Sequence, residues 1–362
     1  MKIRKHFIFA ALLALITISL PIVVASLIAE PPYKNSDVFN DIKIGDLWSD
    51  QAKYVGEWYA VEAIDENTYI IGEPRSSQYN SSYLIIGSDK AILLDAGSGE
   101  RPESIPNMKE MAESLTGKPV TLMLSHFHVD HIGDLDEFEG IVMIDLPYLR
   151  TRIQDPKPKI TESSSVHASF LETVIGARDI KVLDWIKPND YINLGGRKLQ
   201  ILSTPGHTFE SLTLVDHENG YVFTGDFMYQ HLGGFVLFLP GSDLSVYVET
   251  IASLIAKTRG NYQFFGAHGL QRFDTDWIKK VYQEMLNVSD DTVDLRMSET
   301  FLAPGLPLRL HQKEQILIYL TPYFNAVTMF SWRFIVMLAM AFTIITTLFY
   351  SVFRYFRKSN LR

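Results

Sequence analysis

The sequence contains no cysteine among its 362 residues. Disulfide bonds, thiolate metal ligands and cysteine nucleophiles are therefore excluded, and any metal ion has to be held by histidine, aspartate or glutamate. Basic residues are in the minority, since 33 lysines and arginines stand against 42 aspartates and glutamates and give a formal net charge of −9. Proteins that bind nucleic acid usually present a basic face, so this balance argues against a nucleic-acid partner.

Long apolar runs occur at two places. Residues 7–29 and 334–353 are uncharged and largely apolar, and each run is about long enough to cross a bilayer as a helix. The first run is also compatible with a cleaved signal peptide, and the second with a buried core helix. Basic residues lie on the terminal side of both runs, which predicts cytoplasmic termini and an extracytoplasmic central region.

Between these runs, the pattern predicts short apolar strands in hairpins, with helices between some of them. The turn Asn219-Gly220 separates two apolar segments, 212–216 and 221–224, and this pattern predicts a β-hairpin. A second hairpin is predicted from 83–86 and 91–95. Helices are predicted over 103–115, 244–257 and 274–286, and a loop over 302–307. These segments fit an α+β fold in which two sheets pack face to face with helices outside.

One short segment concentrates residues that bind metal ions. His126, His128, Asp130 and His131 lie within six consecutive positions, directly after the apolar strand predicted over 120–124. Side chains alternate along a strand, so His126 and His128 are expected to point to the same side. Neutral imidazole and carboxylate groups suit zinc. The segment therefore predicts ligands for two neighbouring metal positions.

Three further candidate ligands follow predicted strands, as ligands on loops at strand ends commonly do. His207 stands in Thr204-Pro205-Gly206-His207, Asp226 in Thr224-Gly225-Asp226, and His268 in Gly266-Ala267-His268.

The ordered series of these elements resembles the metallo-β-lactamase superfamily over roughly residues 67–286. The resemblance implies a four-layer αββα sandwich with the site at one edge of the two sheets. It implies two Zn²⁺ ions per chain, one held by His126, His128 and His207, and the other by Asp130, His131 and His268. Asp226 would bridge the two ions, and Asp95 would support the ligands from outside.

One departure narrows the expected activity. The true β-lactamases of this superfamily have Cys or Ser where this sequence has Asp226. A carboxylate there is similar to hydroxyacylglutathione hydrolases, lactonases, acyl-coenzyme A thioesterases and tRNA-processing nucleases. The resemblance implies attack by hydroxide from a bridging water whose pKa falls to about 7. Asp130 is the expected proton acceptor, and Tyr229 either donates to the developing oxyanion, as in lactonase-like members, or packs as an ordinary aromatic residue.

Three functions are therefore compared: a hydrolase of thioesters, esters or lactones; a phosphodiesterase acting on phospholipid or nucleic acid; and a membrane protein with a relic site. The complete ligand set argues against the third, and the acidic charge argues against a nuclease. We expect a small-molecule acyl or lipid substrate, a membrane partner and no nucleic acid. Candidate glycosylation triplets at Asn80 and Asn287 decide nothing.

The expected organisation has five parts. These are residues 1–29, a membrane anchor or signal segment; 38–286, the catalytic domain; 287–333, a connecting segment; 334–353, a transmembrane helix; and 354–362, a basic cytoplasmic tail.

Overall fold

A computed structural model describes residues 51–154, 180–229, 234–237, 241–268, 272–300, 303–314 and 316–320. The two apolar runs at 7–29 and 334–353 and the tail at 354–362 lie outside these residues. Among the described helices, none combines the length and the apolar character that a membrane span requires. The chain divides into two units, and residues 35–294 with 311–318 form the unit that contains the predicted ligands.

The strands and helices are short, and the strands mostly follow one another in runs that single helices interrupt. The strands are β1 (Lys53–Val55), β2 (Tyr59–Asp65), β3 (Thr68–Gly72), β4 (Ser81–Ile86), β5 (Ala91–Leu94), β6 (Val120–Met123), β7 (Ile141–Ile144), β8 (Val182–Ile186), β9 (Tyr191–Asn193), β10 (Lys198–Ser203), β11 (Leu212–Asp216), β12 (Tyr221–Gly225), β13 (Phe235–Leu237), β14 (Gln263–Gly266), β15 (Arg272–Asp274), β16 (Arg296–Thr300), β17 (Ala303–Lys313) and β18 (Ile316–Leu320). The helices are α1 (Met108–Thr116), α2 (Pro147–Gln154), α3 (Leu244–Lys257) and α4 (Thr275–Ser289).

Two sheets build the sandwich. The first has the order β1-β2-β3-β4-β5-β6-β7-β8, antiparallel as far as β5 and parallel from β5 to β8. The second has the order β15-β14-β12-β11-β10-β9, with β12 and β14 parallel and the other neighbours antiparallel. Since parallel strands end at the same edge of a sheet, the loops after β5, β6, β12 and β14 are placed to meet.

Aromatic side chains join the two sheets in the core. Tyr83 of β4 lies 5.1 Å from Phe223 of β12 and 5.9 Å from Phe265 of β14, measured between ring centroids. All three rings are almost completely buried. The Tyr83 hydroxyl donates to the Gly266 carbonyl, which ties β4 to the last residue of β14. Burial of such rings is a large apolar contribution to sheet packing.

Side chains cap the first turns of α1, α3 and α4. Asn107 and Glu110 form a capping box at the start of α1, and Gly117 ends the helix in the left-handed conformation. α1 therefore starts later than predicted, since the preceding residues include Pro106, which has no N–H and restricts its neighbour. The bounds of α3 equal the prediction, with Asp243 as the cap. α4 continues to Ser289, beyond the predicted domain boundary at 286.

The loop prediction over 302–307 is wrong from residue 303 onward. β17 begins at Ala303 and pairs antiparallel with β16. The register jumps between the pairs Ser298↔Leu308 and Thr300↔Ala303. Such an irregularity places the proline- and glycine-rich residues where regular ladder hydrogen bonds are not required, so turn-forming residues are tolerated within a strand.

Candidate metal centre

Four strand ends carry the predicted ligands to one edge of the sandwich. His126, His128, Asp130 and His131 follow β6, and the other three residues follow β10, β12 and β14. The seven are His126, His128, Asp130, His131, His207, Asp226 and His268, and each is at most 8% exposed. The structure therefore brings together residues that are up to 142 positions apart in the sequence.

The seven side chains form two groups. Within each group, the candidate ligand atoms all lie within 4.8 Å of one another. The first group is His126, His128, His207 and Asp226, and the second group is Asp130, His131 and His268. These groups coincide with those that the resemblance implies; the ligand roles themselves stay a prediction.

Asp226, a member of the first group, also contacts the second group. Its Oδ2 is 3.5 Å from His207 Nε2 and 3.7 Å from His126 Nε2. Its Oδ1 is 3.3 Å from His131 Nε2 and 3.0 Å from His268 Nε2. Oδ2 is also 3.1 Å from His268 Nε2, so the carboxylate as a whole contacts histidines of both groups, as a bridging carboxylate would.

Asp95, at the end of β5, supports both groups from outside. Its Oδ2 is 2.9 Å from His131 Nδ1, and it accepts from the Ser125 hydroxyl at 2.8 Å. The Ser125 hydroxyl is in turn 3.0 Å from His126 Nδ1. If both Nδ1 atoms carry their protons towards these acceptors, both Nε2 lone pairs are directed into the centre.

Three buried atoms in the centre fit a cation. His126 Nε2, His131 Nε2 and Asp226 Oδ1 have no hydrogen-bond partner within the described ranges. A buried polar atom without a partner is costly, and several acceptors converging on one place repel each other. A divalent cation between them would remove both costs. The donor set, which is entirely nitrogen and oxygen, suits zinc and also iron or manganese.

Residues 78–267 match the family described as "Metallo-beta-lactamase superfamily". This chain belongs to the metallo-β-lactamase superfamily. It has that superfamily's αβ/βα sandwich and is a metal-dependent hydrolase.

Relatives with curated names include proteins from animals and bacteria. The Homo sapiens protein "Acyl-coenzyme A thioesterase MBLAC2" is 27% identical over 252 residues, which is 62% of this chain and 88% of that protein. "Probable metallo-hydrolase YqgX" of Bacillus subtilis (strain 168) is 30% identical over 152 residues, 41% of this chain and 66% of that protein. A solved structure, "Metallo-beta-lactamase from Pontibacter korlensis", covers 63% of this chain and 99% of its own at 14% identity, with a TM-score of 0.48.

The electrostatics of this metallo-β-lactamase centre prepare the ligands for a metal. Burial and the neighbouring histidines lower the pKa of His126 and His207, the latter to about 3, so both rings are neutral near pH 7. Burial opposes ionisation of Asp226, but the charges of His268 and His131 outweigh it and hold the pKa of Asp226 low. Burial likewise lowers the pKa of His131, but the surrounding carboxylates, Asp226 first, raise it further, so metal binding has to displace a proton there.

Two supporting residues are absent from the sequence-based prediction. The Asn80 side-chain amide donates to the Asp130 carbonyl at 2.9 Å and to Asp130 Oδ2 at 3.0 Å. Glu210 accepts from the backbone N–H of Phe127 at 3.2 Å, between two ligands. Burial raises the pKa of Glu210 to about 7. No sequence pattern marked Glu210, and the only pattern at Asn80 was a glycosylation triplet. The Asn80 side chain is 2% exposed, so the triplet is inaccessible in the folded protein.

Tyr229 lies beside the second group. Its ring packs edge-on against His268, with centroids 5.8 Å apart, and stacks on Phe235. Its hydroxyl donates to the Gly234 carbonyl at 2.6 Å. To donate to a substrate oxygen, the hydroxyl would have to exchange this partner, so the oxyanion role stays a prediction.

The weaker histidine candidates lie elsewhere. His217 is on the surface, where its ring nitrogens contact Tyr262 and Gln200. His167 and His231 lie outside the described residues.

Proposed function

We propose that this protein is a membrane-anchored hydrolase that uses two Zn²⁺ ions to cleave a carboxylic thioester, ester or lactone. The observation that carries the proposal is the pair of adjacent residue groups with the Asp226 carboxylate in contact with histidines of both groups. Among the three bonds, a thioester is the first choice, because the human relative that spans 62% of this chain is named an acyl-coenzyme A thioesterase.

The chain's own residues would perform three tasks. His126, His128 and His207 would hold one ion, and Asp130, His131 and His268 the other, with Asp226 shared between them. Two zinc ions so held would supply Lewis acidity and an acidified water. Asp130 Oδ2 faces the centre, where Asn80 and the imidazoles of His131 and His268 surround it and favour the ionised carboxylate. The Asp130 carboxylate would receive the proton of the attacking water as the water oxygen bonds to the carbonyl carbon, and would pass it to the leaving sulfur or oxygen as the C–S or C–O bond breaks.

Zinc is favoured over other metals by the ligand types. Three of the four residues in the first group are histidines, and their low pKa values leave neutral imidazoles, the form that coordinates zinc. A measured metal content dominated by iron or manganese would replace zinc in the proposal and leave the site unchanged.

The membrane part of the proposal rests on the sequence. The apolar runs at 7–29 and 334–353, with basic residues outside them, suit two membrane helices with both termini in the cytoplasm. The catalytic domain, residues 38–286, would then be extracytoplasmic. Tethering at the bilayer would suit an acyl chain or lipid as substrate.

The reaction class is tested with purified full-length protein in detergent. A panel pairs acyl-coenzyme A thioesters, carboxylic esters and lactones with bis(p-nitrophenyl) phosphate, each with chelator and with zinc restored. We expect zinc-dependent cleavage of the acyl compounds. His126→Ala should remove turnover and lower metal content, whereas His217→Ala, a surface histidine, should do neither.

Cleavage of the phosphodiester alone would overturn the acyl proposal and make a phospholipid the next substrate. Normal turnover by His126→Ala would overturn the site assignment itself.

A further inference from the structure

The short segment 76–81 contacts two of the three residues of the second group. Besides the Asn80 amide on Asp130, the Gln78 carbonyl is 3.0 Å from His268 Nδ1. Asn80 and His268 also form an isolated antiparallel bridge, and Ser81 N donates to the Ala267 carbonyl at 2.8 Å. The segment therefore orients His268 through its backbone and Asp130 through one side chain.

The orientation of the Asn80 amide is determined by its other contacts. Ser76 Oγ accepts from Asn80 N at 3.1 Å, and its one proton has two acceptors, the Glu73 carbonyl at 2.9 Å and Asn80 Oδ1 at 3.2 Å. The Asn80 backbone carbonyl accepts from Glu73 N at 2.8 Å. With its oxygen held towards Ser76, the amide presents both N–H bonds to Asp130, one to the carbonyl and one to Oδ2.

Oδ2 is the oxygen of Asp130 that faces the second group. It is 3.4 Å from His131 Nε2 and 3.5 Å from His268 Nε2. A hydrogen bond from a neutral amide keeps this oxygen in place without adding a charge, and it favours the ionised carboxylate that a metal requires.

The first group is held by other contacts. The Ser125 hydroxyl lies beside His126 Nδ1, and the Ser242 hydroxyl donates to the His207 carbonyl at 2.9 Å. Glu210 accepts from the N–H between His126 and His128. The two groups therefore depend on separate supports, apart from Asp95 and the shared Asp226.

We infer that Asn80 is a positioning residue that sets the affinity of the second group for its metal ion without setting that of the first. The inference rests on the two-ion part of the proposed function. Loss of the Asn80 amide would leave Asp130 free to rotate away, and a carboxylate in its place would repel Asp130 Oδ2. Either change would weaken metal binding at the second group before it affects the first group.

The test is zinc binding by the full-length protein, without substrate. Chelator-treated wild type, Asn80→Ala and Asn80→Asp are titrated with Zn²⁺ against a chromophoric chelator, and bound zinc is counted by mass spectrometry. We expect two ions per wild-type chain. In both variants, the zinc affinity of one binding step should fall by about 10- to 100-fold, while that of the other step stays unchanged. Loss of other residues that orient metal ligands has an effect of this size.

Two reference variants identify the weakened step. His268→Ala removes a ligand of the second group and His207→Ala a ligand of the first. With Co²⁺ in place of zinc, the absorption spectrum of the ion that remains in Asn80→Ala should match that in His268→Ala and differ from that in His207→Ala. Asn193→Asp, an exposed asparagine that accepts from Gly195 N, controls for the added charge and should bind as wild type does.

Melting temperatures of the metal-free proteins check the fold. If Asn80→Ala is unfolded, Asn80→Asp decides, since it has the same shape and volume as asparagine. Two unchanged steps in the folded variants, or two steps weakened equally, would overturn the inference alone. A wild-type chain that binds fewer than two ions would overturn the two-ion proposal, and the inference with it.

Discussion

Asp95 orients both Ser125 and His131 at the centre through its carboxylate. It adopts a left-handed backbone conformation with φ of 71°, which is uncommon for a residue other than glycine. In that conformation Oδ1 accepts from Ser125 N at 2.6 Å, while Oδ2 faces Ser125 Oγ and His131 Nδ1. Backbone strain of this kind persists where the surrounding contacts compensate for it.

Replacing Asp95 by asparagine should reverse one of these contacts. An amide nitrogen in place of Oδ2 would face the N–H of His131 and oppose the tautomer that directs Nε2 into the centre. We expect Asp95→Asn to lower zinc affinity by about 10- to 100-fold, measured by competition with a chelator. Asp89→Asn, an exposed aspartate of the β4–β5 turn, is the matched control. Unchanged affinity in Asp95→Asn would contradict the supporting role.

Glu73 should make stability depend on pH. Burial raises its pKa from 4.5 to about 7, even though Trp58 Nε1 and Ser98 donate to the carboxylate. The folded state therefore holds a proton that the unfolded state has lost between about pH 4.5 and pH 7, and stability falls as pH rises through that range.

Glu73→Gln cannot titrate and should lose this dependence. We expect the free energy of unfolding of the metal-free wild type to decrease, relative to Glu73→Gln, by up to about 3 kcal/mol between pH 5 and pH 8. Urea unfolding at intervals of one pH unit measures it. A difference between the two proteins that is constant with pH would refute the assignment.

The seven residues of the two groups were predictable from the sequence, and so was Asp95 through the resemblance, but Asn80 and Glu210 were not. Four ligands are clustered between positions 126 and 131, and the others follow recognisable strand ends, so residue type and spacing were sufficient. Asn80 contacts Asp130 across 50 positions, and Glu210 contacts Phe127 across 83. Only the fold creates such contacts, and an isolated asparagine or glutamate has no spacing to mark it.

At the level of elements, periodicity and turn residues predicted most strands and helices well. The hairpin around Asn219-Gly220 and the helix Leu244–Lys257 have clear turn and cap residues, and the structure has both. Over 303–307, by contrast, the local turn residues led to a wrong prediction. The prolines and glycine there favour a turn locally, whereas pairing with β16 provides backbone partners that a single sequence segment does not reveal.

Two loops at the centre pack more closely than any side chain would allow. A Cβ atom at Gly133 would lie 2.1 Å from Gly99 N and 2.5 Å from Gly99 Cα. Gly133 N donates to the Gly97 carbonyl at 2.8 Å, and Ala96 N donates to the His131 carbonyl at 2.8 Å. The loop after β5 thus holds the loop after β6 by close backbone contacts, in addition to the side-chain contacts of Asp95.

Gly133→Ala should therefore disturb both stability and metal binding. Because the clash is with backbone atoms, we expect a loss of about 3 kcal/mol in the free energy of unfolding, and reduced zinc uptake through His131. A Cβ atom at Gly117 would meet open space, so Gly117→Ala should lose only the roughly 1–2 kcal/mol of stability that a left-handed φ costs alanine. Urea unfolding and metal analysis of both variants separate the close approach from the general cost of replacing glycine.

Across the whole catalytic unit, one buried ion pair joins the sheets at the end opposite the centre. Arg197 Nε donates to Asp216 Oδ2 at 2.7 Å, and its other nitrogens donate to the Ile86 carbonyl and to Thr68 Oγ1. Arg197 and Asp216 belong to the second sheet and its connections, whereas Thr68 and Ile86 belong to the first. Ile86 lies at the far end of β4 from Asn80.

Arg197→Met should weaken the fold and spare the centre. The substitution leaves the completely buried Asp216 carboxylate without its counter-charge, which typically costs about 3–5 kcal/mol. Below its unfolding temperature, the variant should still bind as much zinc as the wild type. Lys279→Met, which breaks an exposed pair with Asp276, should change stability by less than about 1 kcal/mol. Parallel loss of zinc and stability in Arg197→Met would show that the two ends are coupled.

The proposed membrane orientation makes a prediction about the whole molecule. If the runs at 7–29 and 334–353 both span the bilayer with their basic ends inside, protease added outside sealed cells can reach residues 38–286 but not a tag after Arg362. We expect the central region to be digested and the tag to survive on a short fragment, and detergent to make the tag sensitive as well. A central region that is protected until detergent is added would place it in the cytoplasm. Loss of the tag without detergent would instead mean that the second run does not place the C-terminus inside, because the charge asymmetry at 354–362 is what predicts that position.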